Sequence, residues 1–211
     1  SLEVAAHIMQ NPEGYILGGM GVVATVLFSD IRGFTAMAER LRPRQVVERL
    51  NEYFQAMTEA VFAHGGTVDK YMGDAIMAVF GVPVPHKDHP HRAVGAALDM
   101  QAALLGLQAR WRAQGLPLID IGVGINTGDM VVGNIGSEHR LDFTVIGDSV
   151  NLASRVEGLN KDFGTRILIT EHTYEFVKEE VVARGPLSAT VKGKTEPVAV
   201  YEVLSWRQNG P

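Results

Sequence analysis

The sequence predicts an α+β fold, and three observations carry that expectation. Short apolar strand candidates and two long amphipathic helices follow one another in the order strand, helix, strand, strand, helix, strand. The two middle strands are separated by a short turn containing Gly73 and Asp74, which is hairpin spacing. Further short strand candidates come after the sixth element instead of a second copy of the first six. The order is that of a ferredoxin-like βαββαβ core with helices expected on one face, extended by the later strands into a mixed or antiparallel sheet. With 211 residues, 46% of them hydrophobic, the chain has enough material for one sizeable core.

Residues 1–21 carry little periodicity and read as a linker or arm, ending in the run Gly18-Gly19-Met20-Gly21. Residues 22–28 form the first apolar strand, and a loop holding Asp30 follows. Pro43 suits the first turn of a helix that continues to about Ala63, with Tyr53, Met57 and Val61 on its apolar face. His64-Gly65-Gly66 ends it. Residues 67–71 and 75–80 make the hairpin. Asp88 is a candidate N-cap for a second helix reaching Gln114, where Gly115 breaks the pattern. Residues 118–125, 129–135 and 141–146 read as three strands, and residues 149–160 as a helix with Asp148 as its N-cap. A strand over 167–170 leads into a short helix over 171–177, and 181–184 and 198–203 are the last strands. The domain is therefore placed at 22–204, with 205–211 as a tail.

Composition excludes several function classes. A net charge of -5 argues against a nucleic-acid groove, and the absence of cysteine rules out disulfides, thiolate metal ligands and a cysteine nucleophile. No apolar run is long enough to span a bilayer, and the first residues lack the form of a signal peptide, so a cytoplasmic domain is expected, with membrane attachment left to a longer parent protein. No phosphate-binding Gly-x-x-x-x-Gly-Lys-Ser/Thr motif occurs. The spacing of His86, His89 and His91 gives no compact ligand set and fits an ordinary turn and helix start.

Two segments carry candidate chemistry. In Phe28-Ser29-Asp30-Ile31-Arg32-Gly33-Phe34-Thr35 and Lys70-Tyr71-Met72-Gly73-Asp74, a carboxylate sits beside a glycine at the end of an apolar strand. Each aspartate alone reads better as a turn cap. If the hairpin brings both together, their mutual repulsion calls for cations, and divalent ions would also hold phosphate oxygens. Gly33 lets successive backbone N–H groups face a phosphate. Farther on, Asn151 and Arg155 share one helix face at i,i+4, where an amide and a guanidinium suit a ribose and a charged phosphate; a capped helix with one polar contact is the plainer alternative. Lys192-Gly193-Lys194 adds positive charge in a turn that suits either a triphosphate or plain solvent exposure.

In combination and order these segments, with Gly124-Ile125-Asn126-Thr127-Gly128 and Thr144-Val145-Ile146-Gly147-Asp148-Ser149-Val150-Asn151-Leu152-Ala153-Ser154-Arg155, resemble the class III nucleotide cyclase catalytic domain over about residues 22–204. The resemblance implies a head-to-tail homodimer with two shared sites. One chain supplies Asp30, Ile31 and Asp74 for two divalent ions, Mg2+ or Mn2+, and Phe34 and Thr35 for substrate. The other supplies Lys70 and Thr144 to read the base, Asn151 and Arg155 for catalysis, and Lys192 for the phosphates.

The implied reaction converts ATP to 3',5'-cyclic AMP and pyrophosphate. Guanylate cyclases of the family usually carry an acidic residue at the Lys70 position, so the Lys70–Thr144 pair resembles the adenylate cyclase subgroup that includes bicarbonate-responsive and cyanobacterial enzymes. The chain departs from relatives at Gly122, where several have a phosphate-reaching arginine, and at Asn126, where histidine is common. The family also implies a regulatory domain outside this sequence. A guanylate cyclase and a non-catalytic nucleotide-binding dimerisation module are the alternatives.

Overall fold

The computed structural model describes residues 19–137, 139–191, 193 and 196–208. Its elements run β1 (Met20–Arg32), α1 (Phe34–Ala38), α2 (Pro43–Ala63), β2 (Thr67–Met72), β3 (Ala75–Phe80), α3 (His89–Ala113), β4 (Asp120–Ser137), β5 (Arg140–Ile146), α4 (Asp148–Phe163), β6 (Ile167–Thr170), α5 (Glu171–Val177), β7 (Val181–Ala189) and β8 (Val198–Trp206). The first six major elements follow the expected βαββαβ order, and the eight strands form one sheet in the order β2-β3-β1-β4-β6-β8-β7, with β5 paired to β4 off that path. The sheet is mixed: β4 and β6 are parallel, and the other neighbours are antiparallel.

Strand β1 is apolar without alternation because both its faces are covered. Leu27 and Ile31 pack with Tyr53 and Met57 of α2 and Met100 and Trp111 of α3, whereas Ala24, Val26 and Phe28 pack with Val150 and Ala153 of α4 and Val145 of β5. Helices therefore lie on both faces, which corrects the expectation of one. α4 reaches the second face because β4 opens a path for its backbone. A Cβ at Gly124 would stand 2.1 Å from the amide nitrogen of Glu157 and 2.7 Å from the carbonyl oxygen of Ala153.

Three further expectations change. Asp30 belongs to β1 and pairs with Gly122, so the expected loop begins only at Gly33 (φ 68°) and turns at once into the five-residue α1. The two strands expected over 118–125 and 129–135 are one 18-residue strand, β4. Residues 126–128, which lie between those two expected strands, do not interrupt the ladder: β1 pairs with β4 without a break from Met20↔Val132 to Arg32↔Asp120. The polar side chains find partners inside: Thr127 meets Thr25 at 2.8 Å and Thr173 at 3.0 Å, while Asn126 donates to the Ser149 carbonyl and accepts from the Thr170 hydroxyl. The N-cap of α4 is Gly147, with Asp148 the first helical residue, and Asp88, although it is the N-cap of α3, makes no side-chain cap bond and pairs with Arg92 instead. For Asp88 the capping position is as expected but the partner is not, and for Asp148 the cap lies one residue earlier.

The approach of α4 to Gly124 gives a direct test of the packing. Gly124→Ala should lower unfolding stability by about 1–3 kcal/mol, because backbone on the helix side cannot yield cheaply. Gly106→Ala, in α3 where an added Cβ meets nothing within 4 Å, should raise it by about 0.5–1 kcal/mol. Urea denaturation of the two variants in parallel reads both signs.

Candidate active site

Antiparallel pairing of β1 with β3 places Ser29 opposite Ile76, so Asp30, the next residue along β1, and Asp74, in the turn before Ala75, meet at the same end of the sheet. Their carboxyls lie within hydrogen-bonding reach of each other. Burial, then the charge of Asp74 and its hydrogen bond, push Asp30 up from an ordinary 3.8 to about 6, against the pull of the Ile31 N–H, which donates to Asp30 Oδ1 at 3.1 Å. The Ile31 side chain is buried in the α2–α3 core, leaving only its backbone to face this site. Gly73, with φ 67° and open space where a Cβ would be, allows the tight turn that carries Asp74.

A third carboxyl, absent from the motifs read in sequence, joins them. Glu157 of α4 is pushed up from 4.5 to about 7, by burial first and then by the charge of Asp30, with Arg32 opposing and Asp74 adding to the shift. Arg32 itself donates to the carbonyl oxygens of Asn160, at 3.2 Å, and Thr165, tying the end of β1 to the C-terminal end of α4. Glu157 was legible in principle: it falls on the same helical stripe as Val150, Ala153 and Asn160, where a charged residue is out of place unless it faces a site.

The donor chemistry fits a hard divalent cation. Among the described residues no group of three or more acidic or histidine side chains is arranged to hold a metal by itself. Two adjacent carboxylates that repel each other, completed by substrate phosphates and water, are nonetheless a habitual Mg2+ environment. Beside them, the first intrahelical bond of α1 runs from Met37 N to Gly33 O at 3.1 Å, so the N–H groups of Phe34 and Thr35 stand ahead of the helical ladder. Phe34 is half-buried against the core and Thr35 is exposed.

Asn151 and Arg155 do not join the carboxyls of their own chain. On a helical wheel Arg155 lies roughly 160° and Asn151 roughly 120° from Glu157. Asn151 is exposed; Arg155 is half-buried, and its Nη1 is a buried donor without a hydrogen-bond partner among the described residues. The turn at Gly193 (φ 81°) lies against this guanidinium, since a Cβ there would stand 3.4 Å from both Nη atoms. Lys192 and Lys194 lie outside the described residues, as do residues 1–18 of the expected arm and 209–211 of the expected tail. Lys70 and Thr144, in contrast, are brought together from β2 and β5. Both contact Asp69, a residue not singled out in sequence: the Thr144 hydroxyl donates to Oδ2 at 2.6 Å, and Lys70 Nζ lies 3.2 Å from Oδ1.

The histidines disperse. His89 bonds Thr25 at 2.7 Å, and His91 pairs with Glu180 and stacks on Trp206.

This fold and this placement of motifs match a known family. Residues 22–204 fit the family described as the adenylate and guanylate cyclase catalytic domain. The chain belongs to that family. An adenylate cyclase of Anabaena cylindrica is 43% identical over 186 residues, 85% of this chain and 36% of that protein. The crystal structure of the adenylyl cyclase CyaB from P. aeruginosa superposes with a TM-score of 0.85 at 37% identity, covering 92% of this chain and 100% of that one. That of the guanylyl cyclase Cya2 does so at 0.84 and 39%, covering 92% and 97%. The curated relatives are much longer: the chain spans 10% to 36% of three of them. Among the described residues no helix is long and apolar enough to cross a membrane.

The raised carboxyls of this cyclase domain set a pH dependence. A carboxyl with a raised folded value binds its proton more tightly folded than unfolded, so its contribution to stability is present below its ordinary value and is lost as pH rises through the folded one. In metal-free protein, melting temperature should fall for wild type relative to Asp30→Asn between about pH 4 and 6, and relative to Glu157→Gln up to about pH 7. At neutral pH, Mn2+ should raise the melting temperature of wild type and leave Asp30→Asn unmoved.

Proposed function

We propose that this domain is an adenylate cyclase acting as a head-to-tail homodimer, converting ATP to 3',5'-cyclic AMP and pyrophosphate. The observation that carries the reading is the division of α4 into two faces. Glu157 turns toward Asp30 and Asp74, whereas Asn151 and Arg155 lie on the other side of the helix, Asn151 exposed and Arg155 half-buried with one guanidinium nitrogen left without a hydrogen-bond partner among the described residues. A site needing both sets is completed by a second copy. An exposed apolar rim of Met20, Val23, Val131 and Ile146 lies near Gly147 at the start of this helix, and a second copy would cover it.

In the reaction the ribose 3'-oxygen forms a bond to the α-phosphorus, the bond to the bridging oxygen of the β-phosphate breaks, and the hydroxyl gives up its proton. Two divalent ions held by Asp30 and Asp74, with the Ile31 backbone, would lower the hydroxyl's pKa and neutralise the triphosphate. From the same chain, the first N–H groups of α1 at Phe34 and Thr35 hold phosphate oxygens. From the partner, Asn151 orients the ribose and Arg155 offsets charge developing on the α-phosphate and leaving oxygens, with Lys192 on the phosphates. Lys70 donates to the adenine ring nitrogen and Thr144 accepts from its exocyclic amine. These two residues favour ATP over GTP and extend the likeness to the bicarbonate-responsive subgroup. A regulatory domain elsewhere in a longer parent protein completes the reading.

Product analysis with ATP and GTP in parallel, each with Mg2+ and Mn2+, is the direct test: cyclic AMP and pyrophosphate are expected, and cyclic GMP as main product would replace this reading with a guanylate cyclase. Binding of nucleotide and metal with no pyrophosphate released would mark a non-catalytic module. Arg155→Ala should cost about 10²–10³ in kcat. Mixing inactive Asp30→Ala with inactive Arg155→Ala should restore about a quarter of wild-type activity, since half of randomly paired dimers then hold one intact site of two; no recovery rejects the shared site. At fixed pH, added bicarbonate should raise the rate, and an unchanged rate removes the subgroup assignment.

A further inference from the structure

Asp69 occupies an unusual place. The register of β2 against β3 slips between Val68↔Ala78 and Lys70↔Met77, so Asp69 is the extra residue of a β-bulge on an edge strand. Bulges re-aim side chains. This one turns Asp69 inward until its side chain is only 5% exposed, between a cavity of about 60 Å³ that it lines with Thr144 and Phe143 and an open cleft of about 390 Å³ that it lines with Lys70 and Phe143. A carboxylate buried this far is costly unless its oxygens are used. Oδ2 accepts the Thr144 hydroxyl. Oδ1 lies 3.2 Å from Lys70 Nζ at angles outside a hydrogen bond, which leaves it buried with no hydrogen-bond partner among the described residues.

A free threonine hydroxyl rotates and serves a base edge either as donor or as acceptor, so by itself Thr144 cannot tell an amino group from a carbonyl. An ionised carboxylate only accepts. We infer that Asp69 is a specificity-determining positioning residue: by holding the Thr144 hydroxyl proton it leaves only lone pairs on Oγ1 facing the base, so that the site takes a purine edge bearing an exocyclic amine and rejects one bearing a carbonyl. The inference rests on the adenylate cyclase reading, and on Lys70 and Thr144 as the base-reading pair. The buried Oδ1 stays on the Lys70 side, 3.2 Å from its ammonium, so a guanine carbonyl brought to this place would meet the lone pairs of Thr144 Oγ1. Asp69 need not touch the nucleotide to act, because it sets what Thr144 can offer.

The experiment compares wild type, Asp69→Asn, Thr144→Val and the double variant, reading the ATP/GTP ratio of kcat/KM. The same ratio is read as the relative affinities for 3'-deoxy-ATP and 3'-deoxy-GTP, which cannot cyclise, so that lost turnover does not hide it. An amide at position 69 can donate to Oγ1 and release the hydroxyl proton toward the base. The ratio should therefore fall about tenfold in Asp69→Asn, the scale of one hydrogen bond to a charged group. In the Thr144→Val background the same change should move the ratio no further, because the effect runs through the hydroxyl. A packing role alone would slow both nucleotides equally and keep the ratio, and that result overturns the inference while leaving the adenylate reading intact. An effect of Asp69→Asn that persists undiminished beside Thr144→Val overturns it as well. A wild type that prefers GTP in both readouts sinks the adenylate reading, and this inference with it.

Discussion

The contact on which the rest of the structure depends is the approach of α4 to β4 at Gly124. Strand β4 is the centre of the sheet, joined to β1 over thirteen residue pairs and to β5 and β6 besides. A helix cannot ordinarily bring its backbone against a strand, because side chains on both hold them apart. Here the strand contributes no Cβ at Gly122 or Gly124, and the helix settles until the Glu157 amide and the Ala153 carbonyl occupy that space. Arg32 closes the same contact from the other end by bonding the carbonyls of Asn160 and Thr165. Everything α4 carries, Glu157 inward and Asn151 and Arg155 outward, is thereby fixed relative to Asp30, which sits on β1 opposite Gly122.

This arrangement also determines the electrostatics. Gly122 lets the helix close in, and a Cβ there would stand 2.6 Å from a carboxyl oxygen of Glu157. The chain thus brings a third carboxyl toward a pair that already repel each other. At Gly122 the room a side chain would need is taken by Glu157 and Asn160, and the nearby cation is Arg32, two residues beyond Asp30 on the neighbouring strand. The field of Arg32 reaches Glu157 but does not cancel the burial and the aspartate charges that raise it. The end of the sheet is left with more negative charge than the protein itself neutralises, and that is the electrostatic precondition for binding divalent cations with a triphosphate.

The parts of this that could be read from sequence are those fixed by local chemistry. Pro43, the apolar stripe of α2 and His64-Gly65-Gly66 mark a helix whose limits match the structure, and Gly73-Asp74 marks a hairpin because few other residue pairs tolerate that turn. The Asn151 and Arg155 spacing names one face of α4. What sequence hid was set by partners distant along the chain. Asn126 and Thr127 fall outside the expected strands, and only Thr25, Thr170 and Thr173 placed around them account for polar side chains inside a continuous one. Asp69 looks like a solvated charge on an edge strand, since a bulge depends on the register of two strands and leaves no mark in the order of residues. Helices on both faces followed from glycines in β4, which in sequence read only as weak strand positions.

The β2–β3 hairpin gives the proposed dimer a further property. Asp74 lies in its turn, and Asp69 and Lys70 lie a few residues back on β2, so a single short element carries residues of both the proposed metal site and the proposed base site. In a head-to-tail pair those residues belong to different sites: the turn of each hairpin serves the site of its own chain, while its strand serves the site completed by the partner. The bulge at Asp69 sits between the two. A shift of one residue in the β2 register would turn Asp69 away from Thr144 and displace Asp74 from Asp30 together, so base reading at one site and metal holding at the other depend on the same few backbone hydrogen bonds. That coupling favours a rigid hairpin, and the packing of Val68, Phe54 and Leu50 against the core beneath it supplies the rigidity that the edge of a sheet otherwise lacks.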